Sequence, residues 1–215
     1  MHEFYQFLHA IAYLSIIFVR MIMETLRQHI KPGHVYRRSD LEYYSSAIDR
    51  HLGMLTKDGS LIKLSQGVYY APKSSKFGLV PPDDVVLVES FLKDSDFLMV
   101  KPNVYNTLGL GLTQLYNTTW VYNHKRKGEF KFNGKSFEFK IKSSFPNQLT
   151  KEFLLVDLLN NLDELAEDQN QTIKRLPESL SSFNNEELMR AAQQYGSGRT
   201  KQLLKSIYRN KIQHA

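Results

Sequence analysis

The stretch that decides the fold is residues 36–72, YRRSDLEYYSSAIDRHLGMLTKDGSLIKLSQGVYYAP. Within it Ile48, Leu52 and Leu55 recur at the spacing of one helix face, and they predict a helix with a single buried stripe. Gly59 predicts the end of that helix, because glycine adopts the left-handed conformation after a last helical turn at little cost. Every other segment of the chain is interpreted relative to this helix.

Another helix is predicted immediately before the one that contains Ile48, Leu52 and Leu55, which is therefore the second of the two in chain order. Ser39 with Glu42, and Ser46 with Asp49, have the spacing of capping boxes, in which side-chain oxygens satisfy the first free backbone N–H groups of a helix. Two helix starts this close together predict two helices joined by a tight turn.

A β-hairpin is predicted after the two helices. Residues 61–64 and 68–70 are rich in branched and aromatic side chains, and residues 65–67 form the turn between them. Helix, turn, helix and hairpin in this order predict a winged helix-turn-helix, whose second helix enters the major groove while the hairpin lies on phosphates. The same elements can instead only pack a small α+β domain or bind another protein.

The predicted DNA contacts lie at the start of the second helix, in the turn before it and on the hairpin. Arg50 can form two hydrogen bonds to a guanine edge, and hydroxyl groups near a helix start can reach phosphates or bases. The full predicted set is Arg37, Arg38, Tyr43, Tyr44, Ser45, Ser46, Asp49, Arg50, Lys63 and Gln66.

Short motifs follow one another in a fixed order over residues 21–141. They are Ser39-Asp40-Leu41, Ile48-Asp49-Arg50 with Leu52, Leu55 with Gly59, Leu61, Leu64, Gly67 and Tyr69, then Pro72, Phe77-Gly78, and Leu108-Gly109-Leu110 with Thr113-Gln114. In this order they resemble the AbiEi-type antitoxins of type IV toxin-antitoxin systems. The resemblance implies a bacterial, cytoplasmic autorepressor that counteracts a nucleotidyltransferase-like toxin, without enzymatic activity or cofactor. It would bind inverted repeats in its own promoter as a homodimer or as paired monomers.

The predicted fold class is α+β with two domains. Residues 1–20 form an apolar helical extension, residues 21–76 the winged helix-turn-helix domain, and residues 77–215 a mixed, partner-binding domain with C-terminal helices. The connector KSSKFGLVPP at residues 73–82 is rich in small residues and proline, as is typical of a domain boundary. Asn133-Gly134 predicts a hairpin within a small antiparallel sheet of the second domain.

The extension is the most apolar part of the chain. Gln6, His9 and Arg20 interrupt it, and the uninterrupted run of residues 10–19 is shorter than the roughly 20 residues that cross a bilayer. The pattern therefore favours a buried or dimerising helix over a membrane span. Met21 and Met23 are alternative start positions, in which case this segment is not translated.

Composition restricts the chemistry further. The 215 residues carry a net charge of +6 with a pI of about 9.3, which suits a polyanionic partner such as double-stranded DNA. The absence of cysteine excludes disulfides and thiolate metal sites, and the seven histidines are scattered without ligand spacing, so no metal site is predicted. An auxiliary basic surface, or an ordinary solvated face, is predicted from Lys125, Arg126, Lys127, Lys201, Lys205 and Arg209.

One enzymatic alternative remains. Asp83 with Glu138 and Lys140 has the composition of a magnesium-dependent nuclease site, in which carboxylates hold the ion and the lysine steers the attacking water. Against it, Asp83 precedes a predicted helix, and Glu138 and Lys140 are the expected polar half of an amphipathic strand.

Overall fold

The structure is a computed structural model that describes residues 2–132 and 134–213. Contacts divide the chain into an N-terminal unit, Met1–Ser95, and a C-terminal unit, Asp96–Ala215. The division therefore falls after Ser95 rather than after residue 76. Both units combine helices with small sheets, so the fold is α+β.

The N-terminal unit contains four helices and five short strands within its described residues. The strands form two antiparallel sheets, one in the order β1-β3-β2 and one hairpin of β4 and β5. The hairpin occupies the segment that the sequence predicted to be a connector. The elements are α1 (His2–His29), β1 (Val35–Arg37), α2 (Arg38–Leu41), α3 (Ile48–Lys57), β2 (Ile62–Ser65), β3 (Val68–Tyr70), β4 (Lys73–Ser75), β5 (Gly78–Val80) and α4 (Asp84–Leu92), with a 3-10 turn at Glu42–Tyr44.

The core of the N-terminal unit forms around α3. Ile48, Leu52 and Leu55 are buried, as their spacing predicts, and they pack with Leu26 of α1. Gly59 has a φ of +80° directly after the helix, which confirms the predicted helix end. The predicted hairpin is also confirmed, since β2 and β3 are antiparallel.

The two predicted capping boxes do not form. Helix α2 begins two residues earlier than the Ser39 cap requires, with Arg37 at the N-cap position, because the Asp40 carboxylate accepts the Arg37 backbone N–H at 2.8 Å. Helix α3 has Ala47 rather than Ser46 at its N-cap position. The helices are where the sequence predicts them, but other residues stabilise their starts.

Helix α1 is continuous through the predicted boundary at residue 20. Its last part packs into the core through Met23 and Leu26, whereas large apolar side chains before them are exposed. The prediction of a helix buried within the chain is therefore wrong for the first part of α1. An 18-residue window within the segment Phe4–His29 has a mean hydropathy of 1.6, so this helix is long and apolar enough to cross a membrane by length and composition alone, a test that a signal sequence also passes.

The C-terminal unit is built on a four-stranded sheet in the order β6-β7-β9-β8. The predicted antiparallel sheet is found only in part, because β7 and β9 pair in parallel. The predicted hairpin joins β8 and β9, with Phe132 opposite Lys135, while Asn133 lies outside the described residues. The elements are β6 (Phe97–Val100), β7 (Thr118–Asn123), β8 (Gly128–Phe132), β9 (Lys135–Ile141), α5 (Lys151–Asn160), α6 (Gln169–Ser179), α7 (Asn185–Tyr195) and α8 (Gly198–Gln213).

Helix α5 lies at the centre of the C-terminal core, where residues 153–159 are all buried. Helix α6 occupies a polar, proline-containing segment in which the sequence analysis identified no helix. Asp168 caps it by accepting the Gln171 N–H at 3.0 Å, and Leu176 points into the core. The polar composition of the segment and Pro177 hid this helix, because only one face of it is apolar.

Candidate nucleic-acid interface

The exposed side of α3 carries the residue on which the DNA prediction depends most. Asp49 and Arg50 lie on the first turn and Lys57 on the last, all three exposed, opposite the buried stripe. Arg50 therefore lies on the solvent-exposed face of α3, as the sequence predicts.

Arg38 joins three elements at one end of the N-terminal unit. Its backbone N–H donates to the carbonyl of Gly67, in the turn between β2 and β3, at 2.8 Å. Its guanidinium donates from Nε and Nη2 to the two carboxylate oxygens of Asp49, at 2.7 and 2.9 Å. Its third nitrogen, Nη1, donates to Glu42 at 2.5 Å. The start of α2, the start of α3 and the hairpin turn thus meet at one residue, Arg38.

This pairing fixes the charges of both partners. The hydrogen bond from Arg38 lowers the pKa of Asp49 below its usual value, and the same bond raises the pKa of Arg38. Each group therefore favours the charged form of the other. The fork of two parallel bonds also fixes the direction in which each group points.

Arg37 is paired as well, although the sequence predicted it as a phosphate contact. It lies 3.2 Å from the Asp40 carboxylate and is half-buried. The carboxylates of Asp40, Asp49 and Glu42 therefore offset part of the positive charge that Arg37 and Arg38 bring to this end. Neither arginine projects alone into solvent.

The four predicted residues of the turn before α3 separate into exposed and packed groups. Tyr43 is 90 % exposed and Ser46 is exposed, as contacts with a ligand require. Tyr44 is half-buried against the ring of His29, with ring centroids 4.0 Å apart. Ser45 is buried, so its prediction as a DNA contact is wrong.

Ser45 is buried because it has a structural partner. Its hydroxyl accepts the Ala47 N–H at 3.1 Å and shares a hydrogen bond with Nδ1 of His51 at 2.7 Å. His51 itself is buried on the core side of α3. A buried hydroxyl and imidazole satisfy each other here and fix the approach of the turn to α3.

Protonation of His51 is expected to loosen α3. The pKa of His51 is lowered, first because burial penalises the charged ring and second because Arg50 is positive. The stabilising contribution of the neutral ring is complete above about pH 6.5 and is lost as the pH falls below that value. After correction for intrinsic rates, we expect amide hydrogen exchange in α3 to accelerate up to about tenfold per pH unit between pH 6.5 and pH 5. The acceleration should be absent in His51→Gln; if it persists there, another group titrates.

The two hairpin residues of the predicted set are exposed. Lys63 lies on β2 opposite Tyr69 of β3, and Gln66 lies in the turn beside Gly67. Gly67 has a φ of +72°, a conformation that favours glycine and keeps the turn tight. Gln66 therefore lies next to the junction made by Arg38.

The predicted auxiliary basic residues occupy two places in the C-terminal unit. Lys125, Arg126 and Lys127 are exposed in the loop after β7, whose backbone N–H groups at positions 125 and 126 donate to the side chain of Asn123. On α8, Lys205 and Arg209 are exposed and Lys201 is half-buried. No Asp or Glu occurs within α8.

The nuclease residues have other roles. Asp83 caps α4 by accepting the N–H groups of Val85 and Val86, and it belongs to the N-terminal unit. In the C-terminal unit, Lys140 lies 3.8 Å from the Glu138 carboxylate, as their shared strand face predicts, but it also forms an ion pair with Glu164 and lies 3.7 Å from the ring centre of Trp120. Within the described residues, no three His, Asp or Glu side chains form a group that could hold a metal ion.

Sequence reasoning missed a buried polar cluster around Asp157 of α5. Both of its carboxylate oxygens accept hydrogen bonds, from the Tyr105 hydroxyl at 2.6 Å and from the Tyr122 hydroxyl at 2.8 and 2.9 Å. Asn161 donates to Asp157 Oδ1 at 3.1 Å. The sequence does place an aspartate on the apolar face of α5. Because a buried carboxylate requires hydrogen-bond donors, that position could have indicated a buried polar cluster.

Burial dominates the electrostatics of this cluster. It raises the pKa of Asp157, although the hydrogen bonds from both tyrosines and the charge of Lys142 oppose it. Burial likewise raises the pKa of Tyr105 and of Tyr122. The hydrogen bonds of the cluster therefore link β7 to α5. Because their pKa values are raised, Asp157, Tyr105 and Tyr122 stay protonated to higher pH than the same groups in water.

Comparison with known proteins gives information on the fold alone. No protein-family model matches the chain, and no curated protein matches it. A crystal structure of the RV2827C protein from Mycobacterium tuberculosis is similar, with a TM-score of 0.52 at 14 % sequence identity. The similarity covers 86 % of this chain and 75 % of that chain, so the arrangement of elements recurs in a protein of very different sequence.

Proposed function

We propose that the N-terminal unit is a winged helix-turn-helix that binds double-stranded DNA. Helices α2 and α3 are the helix-turn-helix, α3 enters the major groove by its first turn, and the hairpin of β2 and β3 is the wing. The whole chain is then a cytoplasmic, non-enzymatic autorepressor and antitoxin of the AbiEi type. It binds inverted repeats in its own promoter and counteracts a nucleotidyltransferase-like toxin.

The junction at Arg38 is the observation that carries the proposal. A winged helix must bring its wing and the start of its second helix to the same side of the domain, because both contact one stretch of duplex. The Arg38 side chain contacts Asp49 at the start of α3, and the Arg38 backbone contacts Gly67 in the hairpin turn. Arg50 and Gln66 project from these two elements, and both are exposed.

The test is fluorescence anisotropy on the upstream duplex of the gene and on a shuffled duplex, at two salt concentrations. We expect the native duplex to bind at least about 10³-fold more tightly than the shuffled one. Arg50→Ala should weaken native binding by about 10- to 100-fold and leave shuffled binding nearly unchanged, since a base contact is worth roughly 1–3 kcal/mol. Arg190→Ala, an exposed arginine on α7, is the matched control and should change neither.

Two outcomes would contradict the proposal. Equal binding of both duplexes that disappears with salt would reduce the interaction to a general attraction between a basic protein and a polyanion. An effect of Arg190→Ala as large as that of Arg50→Ala would show that net charge, and not the start of α3, determines the affinity.

A second candidate function is a protein-interaction module that does not recognise a DNA sequence. The hairpin of β4 and β5 favours it, because Phe77 is 100 % exposed and Leu79 is 64 % exposed. The Ser75 hydroxyl accepts the Phe77 N–H at 3.1 Å, a hydrogen bond that orders the turn on which the exposed Phe77 ring lies. This function predicts that Arg50→Ala has no effect, whereas reversing the charges of Lys205 and Arg209 abolishes partner binding.

A further inference from the structure

The exposed first part of α1 has a regular apolar seam. The apolar residues of the seam follow one another at alternating spacings of three and four positions, which is the heptad pattern of a helix that packs against another helix. All of them are about half to two thirds exposed, from 48 % for Ile11 to 65 % for Phe4. The seam consists of Phe4, Phe7, Ile11, Leu14, Phe18 and Met21.

The seam is distinct from the other two faces of α1. At about 100° per residue, His9 and Arg20 lie opposite the centre of the seam and Gln6 lies about 110° from it, on a side that also carries the exposed side chains of Tyr13 and Ile16. Met23 and Leu26 lie on a third side, which packs into the core of the N-terminal unit. The polar residues thus leave the seam uninterrupted, and the protein's own core does not cover it.

We propose that the seam pairs with the seam of a second copy of this chain, so that the protein is a dimer held by two α1 helices. Six large apolar side chains that each expose on the order of 100 Å² amount to roughly 1,200 Å² in two copies. A specific interface requires about 1,000 Å² or more, so the seam alone is sufficient. Ile11 and Leu14 at its centre are residue types typical of two-stranded helix pairs.

Although the whole of Phe4–His29 is long and apolar enough to cross a bilayer, its uncharged part is shorter than the hydrocarbon core, and this favours a second helix as the partner. Residues 4–19 contain no Asp, Glu, Lys or Arg, and as a helix they span about 24 Å. The hydrocarbon core of a bilayer is about 30 Å thick. Gln6 and His9 also lie within that stretch, on the face that a helix pair leaves in water.

This inference does not depend on DNA binding, because the seam lies outside the proposed interface. It has a consequence for that function if both hold. A dimer carries two N-terminal units, and a two-fold pair of such units matches an inverted repeat.

The test is the molar mass of the full chain by light scattering after size exclusion, without DNA. We expect twice the 25.0 kDa of one chain at micromolar concentration. Ile11→Glu with Leu14→Glu should give the mass of one chain. The matched control, Tyr13→Glu with Ile16→Glu, adds the same charge at equally exposed positions off the seam and should remain a dimer.

The absence of cysteine allows a second measurement on the same protein. A chain with Ile11→Cys and Leu14→Cys should form an interchain disulfide on mild oxidation, whichever way the two helices run. A chain with Tyr13→Cys and Ile16→Cys should form at least tenfold less under the same conditions.

Several results would overturn the inference. They are a single-chain mass for the unchanged protein, a loss of the dimer in both glutamate variants, and retention of the dimer in both. Binding of the unchanged protein to neutral phosphatidylcholine vesicles, abolished equally by both variants, would instead assign α1 to a membrane. Because DNA is absent from all these assays, their failure leaves the duplex measurements with Arg50→Ala to decide the proposed function separately.

Discussion

Replacing Asp157 by alanine is expected to lower the free energy of unfolding of the C-terminal unit by about 3–5 kcal/mol. The change leaves the hydroxyl groups of Tyr105 and Tyr122 buried without the carboxylate that accepts from them. Each unsatisfied buried donor costs roughly 1–3 kcal/mol, and removal of the carboxylate leaves a cavity in addition.

The measurement uses the single tryptophan of the chain. Trp120 is buried on β7, in the C-terminal unit, so its fluorescence during urea unfolding reports on that unit. Asp157→Asn is the control, because the amide keeps the shape and can still bond both tyrosines. It should cost much less than alanine, and an equal loss in both variants would show that the charge itself is essential.

The pH dependence of the same experiment follows from burial. Because the pKa of Asp157 is raised in the folded protein, the linked stabilisation is complete below about pH 4 and is lost as the pH rises through the folded value. The free energy of unfolding of the wild-type protein should therefore decrease, relative to that of Asp157→Asn, as the pH rises from about 4 towards neutrality. A constant difference would mean that the pKa of Asp157 is not shifted.

Local patterns predicted those parts of the fold that depend on neighbouring residues. The spacing of Ile48, Leu52 and Leu55 identified α3 and its buried face, and the two-residue gap between β8 and β9 identified their hairpin. Helix α6 was missed because a single apolar face in a polar segment gives a weak periodic signal. The cap at Asp168 is visible in the sequence only once that helix is assumed.

Contacts between distant residues could not be predicted in the same way. Strand β9 lies between β7 and β8, and the parallel pairing of Val121 with Phe139 depends on the packing of the whole sheet. Asp49 was predicted to cap α3, yet its partner is Arg38, eleven residues earlier, which no helical spacing connects. Ser45 was predicted as a surface hydroxyl, and only its contact with His51 explains its burial.

The pairing of Arg38 with Asp49 leads to an expected effect on DNA binding as large as that of Arg50→Ala. Arg38→Ala should weaken binding of the native duplex by about 10- to 100-fold, because it removes a cation and leaves the Asp49 carboxylate unneutralised near phosphates. The fold should persist, because the bond to Gly67 comes from the backbone N–H of residue 38, which alanine retains. Circular dichroism of each variant checks that point.

Asp49→Ala is expected to tighten binding of the shuffled duplex, because it frees the guanidinium of Arg38 for a phosphate. The slope of log Kd against log salt should then steepen by about one phosphate contact. In the double variant, removal of Asp49 should restore about tenfold of the affinity that Arg38→Ala loses. The two changes are thus expected to be strongly non-additive, as they are for groups in direct contact.

The Arg37 and Asp40 pair provides the internal comparison. It too joins an arginine to an aspartate, but Arg37 immediately precedes α2 and Asp40 lies in its first turn, so neither contacts α3 through this pair. We expect their single and double alanine variants to change affinity by a few-fold and additively. If Arg38→Ala leaves native binding unchanged, or if its effect adds simply to that of Asp49→Ala, DNA does not contact the end of the unit where α2, α3 and the hairpin turn meet. The winged-helix assignment would then fail at its central observation, whichever partner the C-terminal unit binds.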